Sequence, residues 1–275
     1  MVDVDLDTVR ELVVARERAD LAALTGSAAV LAGGTWLLSE PQDHIERLVD
    51  ITALGWPTLT VTDAGLEIAA TCTLAEFDTA ATPAEWPAAE LFPLACRALL
   101  ASHKIRRTAT VGGNICLALP AGAVLAVLTA LDAEALLWHG DTERRIPLSR
   151  FVLGPGRIDL RPGEVLRSVH IEAAKMRSRT AFRKIALAPQ GRSGAVVMGR
   201  ADVDGHCAIT LSAATTRPIG LEFARVPTDG ELRATILDLP RELWFDDPHG
   251  TPAWRRHVCT VLAADVLAEL REARP

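Results

Sequence analysis

Two glycine pairs, Ala32-Gly33-Gly34-Thr35 and Thr110-Val111-Gly112-Gly113-Asn114, are the residues whose types and spacing point most directly to chemistry. The first follows a hydrophobic run, and glycine at such a point lets backbone amides approach a bound anion where a Cβ would obstruct. Thr35 and Thr110 add hydroxyls, and Asn114 adds a planar group that both donates and accepts. Two such segments suggest a long phosphate-bearing ligand gripped from two sides, whereas either pair alone reads more simply as a turn. Neither has the Gly-x-Gly-x-x-Gly spacing of a Rossmann site or the lysine of a P-loop.

Other reactive side chains offer less. The cysteines Cys72, Cys96, Cys116, Cys207 and Cys259 are scattered singly, without Cys-x-x-Cys or zinc-type histidine spacing, so no metal or iron–sulfur cluster is expected within this chain. Cys116, two residues past Asn114, reads as a buried structural thiol or a neighbour of the ligand. His44, His103, His139, His170, His206, His249 and His257 have no evident Ser, Cys or carboxylate partner in sequence, which argues against hydrolase chemistry. The chain has no tyrosine to serve as acid, base or stacking ring.

A net charge of −6 argues against nucleic-acid binding, which needs a basic stripe. The short cluster Lys104-Ile105-Arg106-Arg107 leads into the second glycine pair and suits phosphate proximity or a subunit contact. The acidic start Met1-Val2-Asp3-Val4-Asp5 has no apolar run of secretory length, and no apolar stretch reaches membrane-spanning length. With an odd number of cysteines, these features fit a cytoplasmic protein with no membrane partner.

At 275 residues, two or three domains are expected. Val9 to Leu24 reads as one or two amphipathic helices, and Ala28–Ala32 and Arg47–Ile51 as strands with the first glycine pair between them. Near Leu54 the texture changes: Leu59–Thr62 and Leu66–Ala70 flank Asp63-Ala64-Gly65 as a hairpin. Helices are expected over about 88–102 and 121–131, with the second glycine pair as a loop between them, and strands at 135–138 and 144–146. From about Glu172 a separate unit begins, with strands near 180–186, 194–201 and 207–214 and helices near 231–237 and 254–270. The last helix is amphipathic and suited to packing on its own domain.

Leu31-Ala32-Gly33-Gly34-Thr35, Thr110-Val111-Gly112-Gly113-Asn114-Ile115, Leu131-Asp132-Ala133 and Trp254-Arg255-Arg256-His257 together resemble the FAD-binding medium subunit of the molybdenum hydroxylases, the xanthine dehydrogenase and carbon monoxide dehydrogenase type enzymes. The resemblance covers nearly the whole chain. It implies an α+β fold: a two-lobed flavin domain of the PCMH or vanillyl-alcohol-oxidase type, with lobes over 1–54 and 55–171, and a small C-terminal α+β domain over 172–275. It further implies non-covalent FAD held at the diphosphate by Ala32, Gly33, Gly34, Thr35 and Trp36 and by Thr110, Val111, Gly112, Gly113 and Asn114. Leu160, in Asp159-Leu160-Arg161-Pro162-Gly163-Glu164, resembles a region lining the flavin, and Lys184 falls where relatives often place a lysine beside the ring. No separate catalytic residue is implied.

Two positions depart from that pattern. Leu119-Pro120-Ala121-Gly122-Ala123-Val124 holds none of the acidic residues that relatives place after the second motif, one of which can bind the adenosine ribose. Trp36 replaces a small polar or acidic residue, either stacking on a ring or packing in the core. The resemblance implies an electron-transfer subunit of a heteromeric oxidoreductase, with molybdopterin on a large partner subunit and two-iron, two-sulfur clusters on a small one. An FAD-free structural subunit and a stand-alone flavin oxidoreductase are the alternatives.

Overall fold

The computed structural model describes residues 6–188 and 191–272; the acidic Met1–Asp5 segment lies outside them. Three sheets follow one another along the chain, with helices between and upon them. The first has β1 (Glu11–Val14), β2 (Ala28–Leu31) and β3 (Arg47–Asp50), all parallel, in the order β1-β3-β2. Its first strand corrects the helical expectation for Val9 to Leu24. Leu12-Val13-Val14 is an apolar, largely β-branched run, and it pairs in register with β3, whose Leu48 and Val49 are buried. Glu11 faces Arg47 across that pair and accepts a hydrogen bond from its Nε at 2.6 Å. Only Arg18–Ala23 is helical here, as a 3-10 segment.

The second sheet holds β4 (Leu59–Thr62), β5 (Gly65–Ala69), β6 (Glu134–His139) and β7 (Thr142–Pro147). A small ribbon of β8 (Val152–Gly154) and β9 (Arg157–Ile158) precedes its central strand, β10 (Val165–Glu172), and the order is β4-β5-β10-β6-β7. The hairpin of β4 and β5 forms as expected. β10 escaped the sequence reading because it is buried on both faces: Val165, Leu166, Ser168, Val169 and Ile171 follow no clean alternation. A bulge between Leu166 and Ser168 turns Arg167 toward Trp56 and Trp138, 4.6 and 5.4 Å from their ring centres.

Between β5 and β6 run α1 (Leu74–Asp78), α2 (Leu91–Ala98), α3 (His103–Arg106), α4 (Val111–Leu117) and α5 (Ala123–Ala130). The single helix expected over 88–102 is broken. A 3-10 turn at Pro87–Glu90 leads into α2, Leu99 is extended, and Ser102 caps α3 by accepting from Ile105 N at 3.2 Å. α5 is apolar all round and buried on nearly every side, which marks a core helix. Each fully buried Leu or Val there contributes roughly 1.5–3 kcal/mol.

After α6 (Leu148–Phe151) and α7 (Ala173–Met176), the third sheet lays β11 (Arg179–Ala186), β12 (Ser193–Ala201), β13 (Cys207–Ser212) and β14 (Ile219–Phe223) side by side, all antiparallel. α8 (Asp229–Leu237) and α9 (Pro252–Glu272) follow. β12 is buried throughout because successive residues feed two cores: Val196 and Met198 join the core around α5, and Ala195 and Val197 join the core beneath α9. α9 seats closely here, since a Cβ at Gly199 would stand 2.5 Å from Val266 and 2.6 Å from Leu270. Among the described residues no closed barrel forms, and no helix is long and apolar enough to cross a membrane.

Candidate functional site

The two glycine motifs meet in space. A Cβ on Gly33 would overlap the carbonyl oxygen of Thr108 and stand 3.1 Å from Ala109 Cα, so glycine is required for the first motif to lie against the backbone leading into Thr110. Gly34 follows at φ +65°, a left-handed turn that swings the chain back over itself. The turn uses its carbonyls: Gly34 O accepts from Leu38 N at 2.9 Å, and Trp36 O accepts from both Ser39 N and Ser39 Oγ at 2.9 Å. Among the described residues the amides of Gly33, Gly34, Thr35 and Trp36 donate to no partner. A run of unpaired amides around a left-handed glycine is the kind of backbone that can take up an anion.

The second motif corrects the expectation of a loop, because Val111, Gly112 and Gly113 form the first turn of α4. Thr110, 4% exposed, caps it by accepting from Gly113 N at 3.0 Å. Val111 N donates to Cys72 O at 2.8 Å, Gly112 N to Ala70 O at 2.9 Å, and Asn114 N to Thr110 O at 3.0 Å. Gly112 is glycine for packing, since its Cβ would lie 2.6 Å from Ala70 Cβ. The backbone amides of this motif are therefore occupied by the protein itself. Gly113 is exposed, and a Cβ there would meet only Thr110 Oγ1, so this flank is open to a ligand. Asn114 Oδ1 accepts from Leu125 N at 3.1 Å, tying α4 to the start of α5 and leaving its NH2 group as donor.

The remaining candidates lie on neighbouring segments. Gly156 N donates to Ala118 O at 3.2 Å, which holds the β8–β9 ribbon against the end of α4. Leu160, just beyond, is half-buried against the same core as α4. Its segment is braced by Arg144, whose Nε and Nη2 donate to Glu164 at 2.7 and 2.8 Å and whose Nη2 also reaches Asp159 O at 2.6 Å. Burial raises the pKa of the Glu164 carboxyl, but the Arg144 fork and the Arg161 amide outweigh it and hold the group below its ordinary value. Lys184 is half-buried on β11, opposite Val196. It shares a strand face with Phe182, which packs on the α5 core, while Arg183 on the other face pairs with Glu269 of α9 at 2.6 Å.

Trp36 does not pack in the core, as one of its two sequence readings had it, but stands 45% exposed. Cys116 is half-buried, and desolvation pushes its thiol up to about 12, away from the thiolate form a nucleophile needs. His103 lies exposed at the start of α3, where Lys104 and Arg107 are also exposed and Arg106 reaches Asp78 at 3.6 Å. These cations precede Thr108, the residue on which Gly33 rests. His206 has the acidic neighbours that sequence reading missed, Asp202 at 3.8 Å and Glu222 at 3.6 Å, brought together by the β13–β14 pairing and the turn before it. A cavity of about 360 Å³ lies away from both motifs, among Leu137, His139, Thr142, Arg144 and Arg161. Among the described residues no cluster of His, Cys, Asp and Glu is arranged to hold a metal.

Residues 7–172 match the family described as the FAD binding domain in molybdopterin dehydrogenase. The xanthine dehydrogenase FAD-binding subunit of Escherichia coli O157:H7 is 30% identical over 158 residues, covering 55% of this chain and 52% of that protein. The chain thus spans about half the length of the curated relative it matches. In fold it superposes on a chain of reconstituted CO dehydrogenase from Oligotropha carboxidovorans with a TM-score of 0.82 at 17% identity, covering 96% and 98% of the two chains. A chain of quinoline 2-oxidoreductase from Pseudomonas putida 86 gives 0.79 at 18% identity, with 95% and 96% covered.

Proposed function

This chain belongs to the family of FAD-binding domains of molybdopterin dehydrogenases, and on that footing we propose that it carries non-covalent FAD as the electron-transfer subunit of a heteromeric molybdopterin-dependent oxidoreductase. The observation that carries this reading is the run of unpaired amides from Gly33 to Trp36, laid by Gly33 against the backbone that opens the second motif. Such donors suit the FAD diphosphate, each charge-assisted bond contributing roughly 1.5–3 kcal/mol. The proposed site is Ala32, Gly33, Gly34, Thr35 and Trp36 from the first motif, with Thr110, Val111, Gly112, Gly113 and Asn114 from the second.

The two motifs divide the work. The first donates its amides to phosphate oxygens; the second offers the open flank of Gly113 and the NH2 of Asn114, while its capped turn and Gly112–Ala70 contact make a rigid floor. Leu160, braced through Arg144, and Lys184, on the strand face turned toward the α5 core, line the flavin end. When bound, FAD supplies a two-electron store that can be filled and emptied in single or paired steps. We place the electron source, two-iron, two-sulfur clusters, on a small partner subunit and the molybdopterin on a large one; the final acceptor is external. The division into 1–54, 55–171 and 172–275 is part of this reading, supported by the three larger sheets falling in turn into these segments, with only the last residue of β10 crossing a boundary.

Affinity purification from the native cell tests it. The proposal expects co-elution with molybdopterin and iron–sulfur chains and a flavin band near about 450 nm. Recovery of this chain alone and colourless overturns it, and a colourless complex favours the FAD-free structural subunit.

A further inference from the structure

One side chain beside the open amides is not explained by the protein's own packing. Of the six tryptophans, Trp86 and Trp244 are buried, and Trp56 and Trp138 pack edge to face at 5.6 Å with Arg167 against both. Trp254 closes over Gly194 and Gly250, where added Cβ atoms would stand 3.1 and 2.5 Å from its ring. Trp36 alone of the six is exposed, and its ring stacks on no aromatic and no cation among the described residues. Its backbone is nonetheless fixed, since the two hydrogen bonds from Ser39 hold its carbonyl and Leu38 N closes the turn onto Gly34. The exposure is therefore a property of a built turn. An indole left in water forgoes the burial that stabilises every other tryptophan here.

Trp36 also contributes one of the unpaired amides, so a phosphate held there lies within reach of the same residue's ring. The other side of the site has little with which to recognise a nucleoside by hydrogen bonding. From Ile115 to Leu131 no side chain is charged. The one hydroxyl, Thr129, is turned back onto Leu125 O at 2.9 Å, and Cys116 is a half-buried thiol. A ring bound against such a surface needs recognition that uses no donor or acceptor, and stacking on an aromatic face supplies it. Leu160 and Lys184 occupy the segments assigned above to the flavin end, which leaves the adenine as the ring for the first motif.

We propose that Trp36 stacks on the adenine ring of FAD, taking the place of side-chain hydrogen bonds to the adenosine. This rests on the assignment of the Gly33–Trp36 turn as an FAD site. Binding of FAD, ADP and FMN to the full-length apoprotein, measured by calorimetry for wild type, Trp36→Ala and Trp36→Phe, separates the possibilities, because ADP carries the adenine without the flavin and FMN the flavin without the adenine. Trp36→Ala is expected to weaken FAD and ADP binding roughly five- to a hundredfold. Trp36→Phe is expected to recover most of that loss, and FMN binding to be alike in all three proteins. Unchanged FAD affinity in Trp36→Ala overturns the stacking alone, and a loss for FMN but not ADP assigns the ring contact to the flavin and overturns the adenine assignment. Failure of wild type to bind FAD overturns the site assignment and the stacking together.

Discussion

The two glycine motifs look equivalent in sequence and are opposites in structure. In the first motif the carbonyls of Gly34 and Trp36 are used within the turn and the amides stand open; at Gly112-Gly113 the amides are taken by Ala70 and Thr110. In both places one glycine exists so that backbone can meet backbone: Gly33 against Thr108, Gly112 against Ala70. A glycine pair therefore marks close approach without saying whether the approaching group is a ligand or the protein itself. What separates the motifs is the residue before the second one. Thr110 caps a helix and so commits the amides behind it to the fold.

Substitutions at the glycines break the comparison most sharply. Gly33→Ala forces the first motif away from Thr108 and out of alignment with the second. Losing even one charge-assisted bond to the diphosphate is expected to weaken FAD roughly tenfold to a hundredfold, read by flavin titration. Thermal unfolding of the apoprotein moves less, because the turn is at the surface. Gly112→Ala does the reverse: its Cβ meets Ala70 inside the core, and overpacking of this kind costs about 1–3 kcal/mol, seen as a lowered Tm with and without flavin. Equal flavin loss in the two variants would show that the motifs play the same part.

Smaller effects sharpen the picture. Asn114→Ala leaves Leu125 N without its acceptor and is expected to cost about 1 kcal/mol of stability, partly recovered by Asn114→Asp, which keeps the acceptor oxygen. Asn114→Asp also loses the NH2 donor and sets a negative charge beside the proposed phosphate site. Its FAD affinity should fall despite the recovered fold, and retention of full affinity would remove Asn114 from the ligand. The brace behind Leu160 gives a pH signature. The Glu164 carboxyl is held below its ordinary value in the folded chain, so its contribution is complete above the unfolded value of about 4.3 and is lost as pH falls through the lower folded value. The Tm gap between wild type and Glu164→Gln should thus be widest near neutrality, begin to narrow as the pH falls to the unfolded value of about 4.3, and close only below the lower folded value. A gap that persists at low pH contradicts the ion-pair origin.

Much of the fold was legible where a strand or helix has one wet face. The β4–β5 hairpin and the long α9 carry the period or turn signal of their elements, and β2 and β3 were read as short apolar runs on either side of the first glycine pair. β10 was not legible, because both its faces are buried and its residues show no alternation, whereas β12, β13 and α5, buried as fully, were read from apolar runs of strand or helix length. β1 misled because short apolar clusters among charges fit a helix as well as an edge strand, and only its partner β3 decides between them. At the site, the approach of the two motifs was foreseen from residue types. That Thr110 is a cap, that Asn114 holds Leu125 and that Trp36 is left in water depend on contacts with Ala70, Cys72 and the α5 start, which no local pattern encodes. The Arg144–Asp159–Glu164 brace was likewise invisible, being assembled by the β6–β7 hairpin and the loop before β10.

The central claim, that the first motif holds the diphosphate with amides the fold leaves free while the second braces it, is tested most directly by amide hydrogen exchange of the full chain with and without FAD. The account predicts fast exchange at Gly33, Gly34, Thr35 and Trp36 in the apoprotein and marked slowing on FAD binding, with Val111, Gly112, Gly113 and Asn114 slow in both states. Unchanged exchange at Gly33–Trp36, or protection appearing on FAD binding at Val111–Asn114 alone, would contradict it.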